Sequence, residues 1–280
     1  MGNETGELYT RLGEPLLPFP YLVAMILVSL PLAALVGYRF GHVEYGRRQY
    51  DKVPPEQVPG ATSLGAMLAL VGLLLGFAFS SVLNWREARQ TALVEEAAAI
   101  SSAFLGADLL KDPGRTDLQT QILAYAQTRL ASNDDLRTRE AFGAFLERTL
   151  EAQAEIWPAT MRAMSDATSD PVRTLVARGV MDMLDSHTRR IAAAAEQVPP
   201  PAQLMIFLAA LAAIMIVGNR SALQGRPQTW RTFAFAGLLA VVMIMILDLD
   251  RMHEGTMRLN PDTMLATIHD METALAALAR

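Results

Sequence analysis

Residues 64–83 read LGAMLALVGLLLGFAFSSVL, and the chain runs on through Asn84-Trp85-Arg86-Glu87-Ala88-Arg89 to Leu110 with no proline to interrupt it. The first part carries no charge. A helix rises 1.5 Å per residue, so crossing a hydrocarbon core of about 30 Å takes roughly 20 residues. The stretch therefore predicts a transmembrane helix that continues past the bilayer as a single helix of some 45 residues, roughly 70 Å long. Lys111-Asp112-Pro113-Gly114 supplies the stop.

Three further apolar runs flank it. One extends from about Tyr21 to Phe40 and contains Pro31, which is expected to kink it. Another runs from about Ala202 to Val217, short but started sharply by Pro199, Pro200 and Pro201. The last runs from about Phe233 to Leu247 and ends in Asp248. Charged residues make up only 19% of the chain, against about 25% in soluble domains, as such blocks require. The first run follows an acidic leader (Glu4, Glu7, Glu14) instead of a basic one, which reads as a retained anchor and not a signal peptide.

Residues 84–201 hold 13 Lys/Arg against 17 Asp/Glu, a net charge of −4, and no apolar run of spanning length. Their periodicity is helical throughout. Leu118, Ile122, Tyr125, Ala126 and Leu130 mark a helix from about Thr116 to Ala131, and Phe142, Phe145, Leu146, Thr149, Leu150 and Trp157 mark one from Thr138 that Pro158 should end. Asp170-Pro171 opens another, with Val172, Leu175, Val176, Val180, Met183, Leu184, His187 and Ile191 on its apolar stripe. One stripe per helix predicts an antiparallel bundle. The fold class is thus all-α: an integral membrane protein with four transmembrane helices and a helical bundle inserted between spans two and three. In residues, the expected plan is an acidic leader (1–19), two spans with a basic loop (20–83), an extramembrane helical domain (84–201), two spans (202–252) and a C-terminal segment (253–280).

The short loops carry the orientation signal. Arg39, Arg47, Arg48 and Lys52 lie between spans one and two, and Arg220, Arg226 and Arg231 lie between spans three and four with no acid among them. The positive-inside rule puts both loops in the cytoplasm, and both termini and the helical domain outside.

Several chemistries are excluded. The chain has no cysteine, so disulfides, thiolate metal sites and cysteine nucleophiles are absent. Its four histidines (His42, His187, His253, His269) lack metal-type spacing, and a net charge of −5 offers no surface for nucleic acid. No phosphate-binding glycine loop and no nucleophile elbow occur. Neither an enzyme nor a cofactor is expected.

Ordered motifs along the chain resemble the bacterial bestrophin-like domain family. They are Glu44-Tyr45-Gly46-Arg47-Arg48 in the first loop, Arg89-Gln90-Thr91-Ala92-Leu93-Val94-Glu95-Glu96-Ala97 after span two, Met183-Leu184-Asp185-Ser186-His187-Thr188-Arg189-Arg190 with Val198-Pro199-Pro200 before span three, and Asp248-Leu249-Asp250-Arg251 with Gly255 and Asn260-Pro261 after span four. The resemblance implies kinship with bestrophins, which are oligomeric anion channels, and hence a homo-oligomer in a bacterial inner membrane that handles a small inorganic ion. Met252 stands where the family pattern places a proline, which would let the fourth helix run past His253.

Two groups of residues are site candidates. Gly72, Gly76 and Ser80 are spaced by four on span two, with Asn84 one step on; small residues at that spacing let two backbones approach in lipid. The plain reading is packing within one subunit, and the functional one is a subunit interface or pore lining. Asp248 and Asp250 close span four at a depth where carboxylates are costly, and Arg86 and Arg89 leave span two. An ion pair between these sets is the structural expectation, and a charged pore mouth the functional one. Glu95 and Glu96 read as a solvated face, and His187 as a satisfied core histidine. Two functions compete: an oligomeric ion channel, whose acidic balance would attract cations more than anions, and a non-transporting scaffold or sensor.

Overall fold

The computed structural model describes residues 18–50, 61–132, 135, 139–164, 168–251 and 259–278. The acidic leader and Lys52 lie outside them. Eight helices order the described residues: α1 (Phe19–Tyr50), α2 (Ala61–Ala107), α3 (Gly114–Thr128), α4 (Arg139–Ala163), α5 (Asp170–Ala195), α6 (Pro200–Leu223), α7 (Trp230–Asp250) and α8 (Asp262–Leu278). There is no strand among the described residues.

Four of the helices are long and apolar enough to cross a membrane, and they are the four expected spans: α1, the first part of α2, α6 and α7. α2 is unbroken from Ala61 to Ala107, as its sequence predicts. α1 also stays helical through Pro31. Two helix ends differ from expectation. Pro158 does not stop α4, which continues to Ala163. A proline takes its own N–H from the ladder and crowds the carbonyl four residues back, but Ile156, Ala159 and Ala163 are buried in the core and hold the helix through that point. In addition, α7 does not run past His253: it ends at Asp250 and Arg251 is extended (φ −91°, ψ 112°), although Met252 removes the proline. His253 itself lies outside the described residues.

The chain divides into two compact units. One gathers Trp85–Glu196 and the C-terminal residues from Arg258; the other gathers Pro15–Asn84 and Gln197–Met257. The second holds the spans. Its buried side chains are mostly small or β-branched: Ala34, Val71, Ala78, Val82, Ala210, Ala213, Ile214, Ala236 and Ala240. Small residues let membrane helices approach where no hydrophobic effect drives them together. The contact between α1 and α6 is the tightest. A Cβ at Gly37 would lie 1.9 Å from the Met215 carbonyl oxygen, at Gly41 2.3 Å from that of Asn219, and at Gly218 2.2 Å from that of Ala34. Gly225, with φ +65°, ends α6 in the left-handed conformation that only glycine adopts cheaply, and its N–H bonds the Ala222 carbonyl. Large apolar side chains are left exposed on the spans, among them Leu27, Val28, Leu32, Phe40, Leu208, Leu238 and Val241.

The first unit has its own core. Leu93, Ala97, Ile100 and Phe104 of α2 pack with Leu118, Ile122 and Tyr125 of α3, Ile156 of α4, Val176, Val180 and Met183 of α5, and Met264, Ile268 and Met271 of α8. Side chains satisfy the helix ends there. Gln119 donates to the Phe104 carbonyl in the last turn of α2 (3.2 Å) and to Asp108 (2.9 Å). Thr149 donates to the Thr128 carbonyl at the end of α3 (3.1 Å). Arg89 donates to the carbonyls of Ala193 (3.4 Å) and Glu196 at the end of α5, where a cation also opposes the helix dipole. Gln90 clasps the backbone of Asn260 with two bonds, at 3.1 and 3.0 Å, which fixes the chain as it enters α8.

Candidate functional site

On α2, a continuous face is exposed from Gly72 through Gly76, Ser80 and Asn84. It follows from spacing alone, since residues four apart lie on one side of a helix. A Cβ added at Gly72 or Gly76, or at Gly65 before them, meets nothing within 4 Å among the described residues. Among the described residues, no neighbouring helix packs against these glycines. The close backbone approach is made by Gly37, Gly41 and Gly218 instead.

The acidic end of α7 is buried. Asp248 and Asp250 are 5% and 2% exposed. The Asp250 carboxylate accepts the Val198 backbone N–H at Oδ1 and the Gln203 amide at Oδ2, both at 3.0 Å, and Gln203 also donates to the Val198 carbonyl at 3.0 Å. Asp250 thus ties the end of α7 to the proline-rich entry into α6. In the first unit, Arg89 is buried against the end of α5 and Arg86 is half-buried.

A second cluster lies within the first unit. Glu96, read from sequence as part of a solvated face, is fully buried. Its Oε1 accepts from Arg129 Nε at 2.8 Å and the Tyr125 hydroxyl at 3.2 Å, and its Oε2 accepts from Arg190 Nη1 at 2.5 Å. His187 Nδ1 lies 3.7 Å from Oε1 and 3.2 Å from the Tyr125 oxygen. Only Glu95 stays on the surface, 3.9 Å from Arg189. The reason is register: Glu96 falls among Ala92, Leu93, Ala97 and Ile100 on the buried stripe of α2, and Glu95 falls outside it.

The network's electrostatics follow from burial and charge together. Burial alone would raise the Glu96 carboxyl, but the His187 ring and the guanidinium groups of Arg129 and Arg190 hold it far below the usual carboxylate range. Burial, reinforced by Glu96, pushes the Tyr125 phenol up, so it remains a donor. Burial lowers His187 and the two arginines add to that, with Glu96 opposing. The cluster is thus one carboxylate, two guanidiniums, a neutral phenol and a neutral imidazole. His187 is a satisfied core histidine. Arg129 and Tyr125 continue the Leu118–Ile122 stripe by helical spacing, the one sequence signal that could have identified them. Among the described residues no group of three or more His, Asp or Glu is arranged to hold a metal ion.

The model of the bestrophin-like domain matches residues 45–264, and the chain belongs to that family. Two solved structures of singly substituted forms of a bacterial bestrophin homologue from Klebsiella pneumoniae share its fold. The first superposes with a TM-score of 0.64 at 12% identity, covering 91% of this chain and 99% of the homologue; the second gives 0.62 at 12% identity, covering 89% and 97%. No curated protein matches the chain. The protein is an integral membrane protein with the bestrophin fold.

Proposed function

We propose that this chain is the subunit of a homo-oligomeric ion channel in the bacterial inner membrane, with the Gly72–Gly76–Ser80–Asn84 face of α2 turned toward neighbouring copies or a shared axis. The observation that carries the reading is that a face built for close approach is left uncovered by the described residues of its own chain. The exposed Ser80 and Asn84 then offer polar groups to water on a helix that is otherwise apolar across the membrane. Family membership and the fold of bacterial bestrophin homologues support the same assignment. The basic residues of the two short loops support a cytoplasmic location for both, with the termini outside.

Purified protein reconstituted into liposomes tests it: flux of a small inorganic ion is expected, and none for any small ion across a pH series would refute it. A second reading, a scaffold for another protein, draws on Leu105, Leu109, Met161 and Leu175, exposed on the first unit. Crosslinking in native membranes separates the two. A ladder made only of this chain supports the channel, and a heterologous adduct supports the scaffold.

A further inference from the structure

Five arginines gather at one end of the unit that holds the spans. Arg39 and Arg47 lie in the last turns of α1, Arg220 and Arg226 in the end of α6 and the turn after it, and Arg231 in the first turn of α7. α1 and α6 run parallel here: a Cβ at Gly41 would lie 2.3 Å from the Asn219 carbonyl oxygen, and one at Gly225 3.0 Å from the Tyr45 hydroxyl. α7 packs against α1 and begins a few residues after Gly225. Residues 39–47 and 219–231 hold a single acid, Glu44. Arg39, Arg47, Arg226 and Arg231 are exposed and Arg220 is half-buried. Among the described residues, none of the five guanidiniums is held in an ion pair or a side-chain hydrogen bond. Helix rise sets their level. Arg39 stands about 20 residues after Phe19, and Arg220 about 20 after Pro200, so each helix has risen about 30 Å, the thickness of a hydrocarbon core. Arg231 follows Trp230, which opens α7. These three guanidiniums therefore share the height at which acyl chains give way to phosphates, and Arg47 and Arg226 stand farther out. Trp230 and Phe40, 73% and 65% exposed, flank them as an interfacial aromatic belt does.

We propose that this end of the membrane unit is a binding surface for anionic phospholipid: Arg39, Arg220 and Arg231 meet the phosphates, and Phe40 and Trp230 lie along the upper acyl chains. A guanidinium presents a fork of N–H donors that matches phosphate oxygens, and these forks have no carboxylate of their own chain to satisfy them. A zwitterionic headgroup also carries a phosphate, but it turns its own cation toward Arg47 and Arg226. A lipid of net negative charge meets no such opposition, so the surface selects it. The proposal rests on the placement of α1, α6 and α7 across the bilayer. It holds in either orientation of the chain and does not depend on ion conduction.

Trp230 is one of three tryptophans, so Trp85→Phe with Trp157→Phe leaves it as the sole reporter in the full-length protein. Its fluorescence is read in vesicles that mix phosphatidylglycerol and phosphatidylcholine, with bromine on the acyl chains of one lipid or the other. Brominated phosphatidylglycerol is expected to quench Trp230 well beyond its share of the mixture, and brominated phosphatidylcholine below its share. Each guanidinium near anionic headgroups contributes about fivefold, so Arg39→Gln with Arg231→Gln is expected to lower the preference by about tenfold or more. Raised salt is expected to weaken it in the parent. Equal quenching by the two lipids in the parent, or a preference that survives the double arginine replacement, overturns the proposal. Loss of the preference on adding inorganic phosphate at constant ionic strength would assign the surface to a free anion and overturn it as well. Should the single-tryptophan protein not fold, native mass spectrometry of the parent and of the double arginine variant replaces the quenching measurement. The parent is then expected to retain phosphatidylglycerol over phosphatidylcholine and the variant to lose that preference; equal retention by the parent, or no change in the variant, overturns the proposal.

Discussion

Two adjacent glutamates of α2 should respond very unequally to the same isosteric change. Glu96→Gln keeps the side chain's shape and removes the charge that holds Arg129 at 2.8 Å and Arg190 at 2.5 Å. At a separation of about 4 Å and an effective dielectric constant of about 20, each such pair is worth about 4 kcal/mol before desolvation. Breaking a buried pair costs about 3–5 kcal/mol, because the remaining charges stay buried without a counter-ion. The glutamine carbonyl still accepts one bond, which places the expected loss near about 3 kcal/mol. At about 2–4 °C per kcal/mol this lowers the melting temperature by about 6–12 °C. Glu95→Gln touches only Arg189, 3.9 Å away with both side chains more than half exposed, and such pairs are worth about 0–1 kcal/mol. It should melt within about 4 °C of the parent. The assay is thermal unfolding of the detergent-purified full chain, followed by an introduced fluorophore or by loss of helical signal. If the two variants melt together, the buried network does not hold this unit.

Further outcomes follow from the same geometry. The Glu96 carboxyl is depressed in the folded state, so its stabilisation is present above its ordinary pKa of about 4.5 and lost as pH falls below that; Glu96→Gln should flatten the acid limb of a melting-temperature profile below about pH 4.5. Gly37→Ala forces a Cβ against the Met215 carbonyl and should cost about 1–3 kcal/mol or more by overpacking, whereas Gly72→Ala meets nothing within 4 Å among the described residues and should leave the protomer's fold intact; size-exclusion profiles and melting curves of both check this. Asp250→Ala leaves the buried Val198 N–H without its acceptor, while the half-buried Gln203 amide keeps the Val198 carbonyl, and should cost about 1–3 kcal/mol, read as a lowered melting temperature.

The membrane part of the fold was legible because a bilayer leaves little choice: only a helix of sufficient apolar length satisfies its backbone there. The unbroken passage from span two to Ala107 was equally legible, since no proline interrupts it. What failed did so at the level of a single residue or a single partner. Glu95 and Glu96 are neighbours of one chemistry, and a turn of about 100° per residue decides that one is buried and the other is not. The spacing of Gly37 and Gly41 is identical to that of Gly72 and Gly76, yet the first pair meets α6 and the second meets nothing within 4 Å among the described residues. Spacing reports the capacity for close approach and not the partner. Pro158 was read as a stop because a helix loses a bond there, but packing of Ile156, Ala159 and Ala163 in the core carries α4 past it. One partner of Asp250, the Val198 N–H, was not readable, because no side-chain pattern reveals a backbone donor.

The proposed conduction path is tested most directly by single-channel recording of Ser80→Cys in a planar bilayer, before and after a water-soluble thiol reagent is added. With no native cysteine, any effect belongs to that position. The expected result is discrete ion currents that fall when the thiol is modified, while the parent chain's currents are unaffected. Silence for every small ion tried, or currents that ignore modification of a thiol shown to be labelled, would contradict the assignment of the α2 face to the pore.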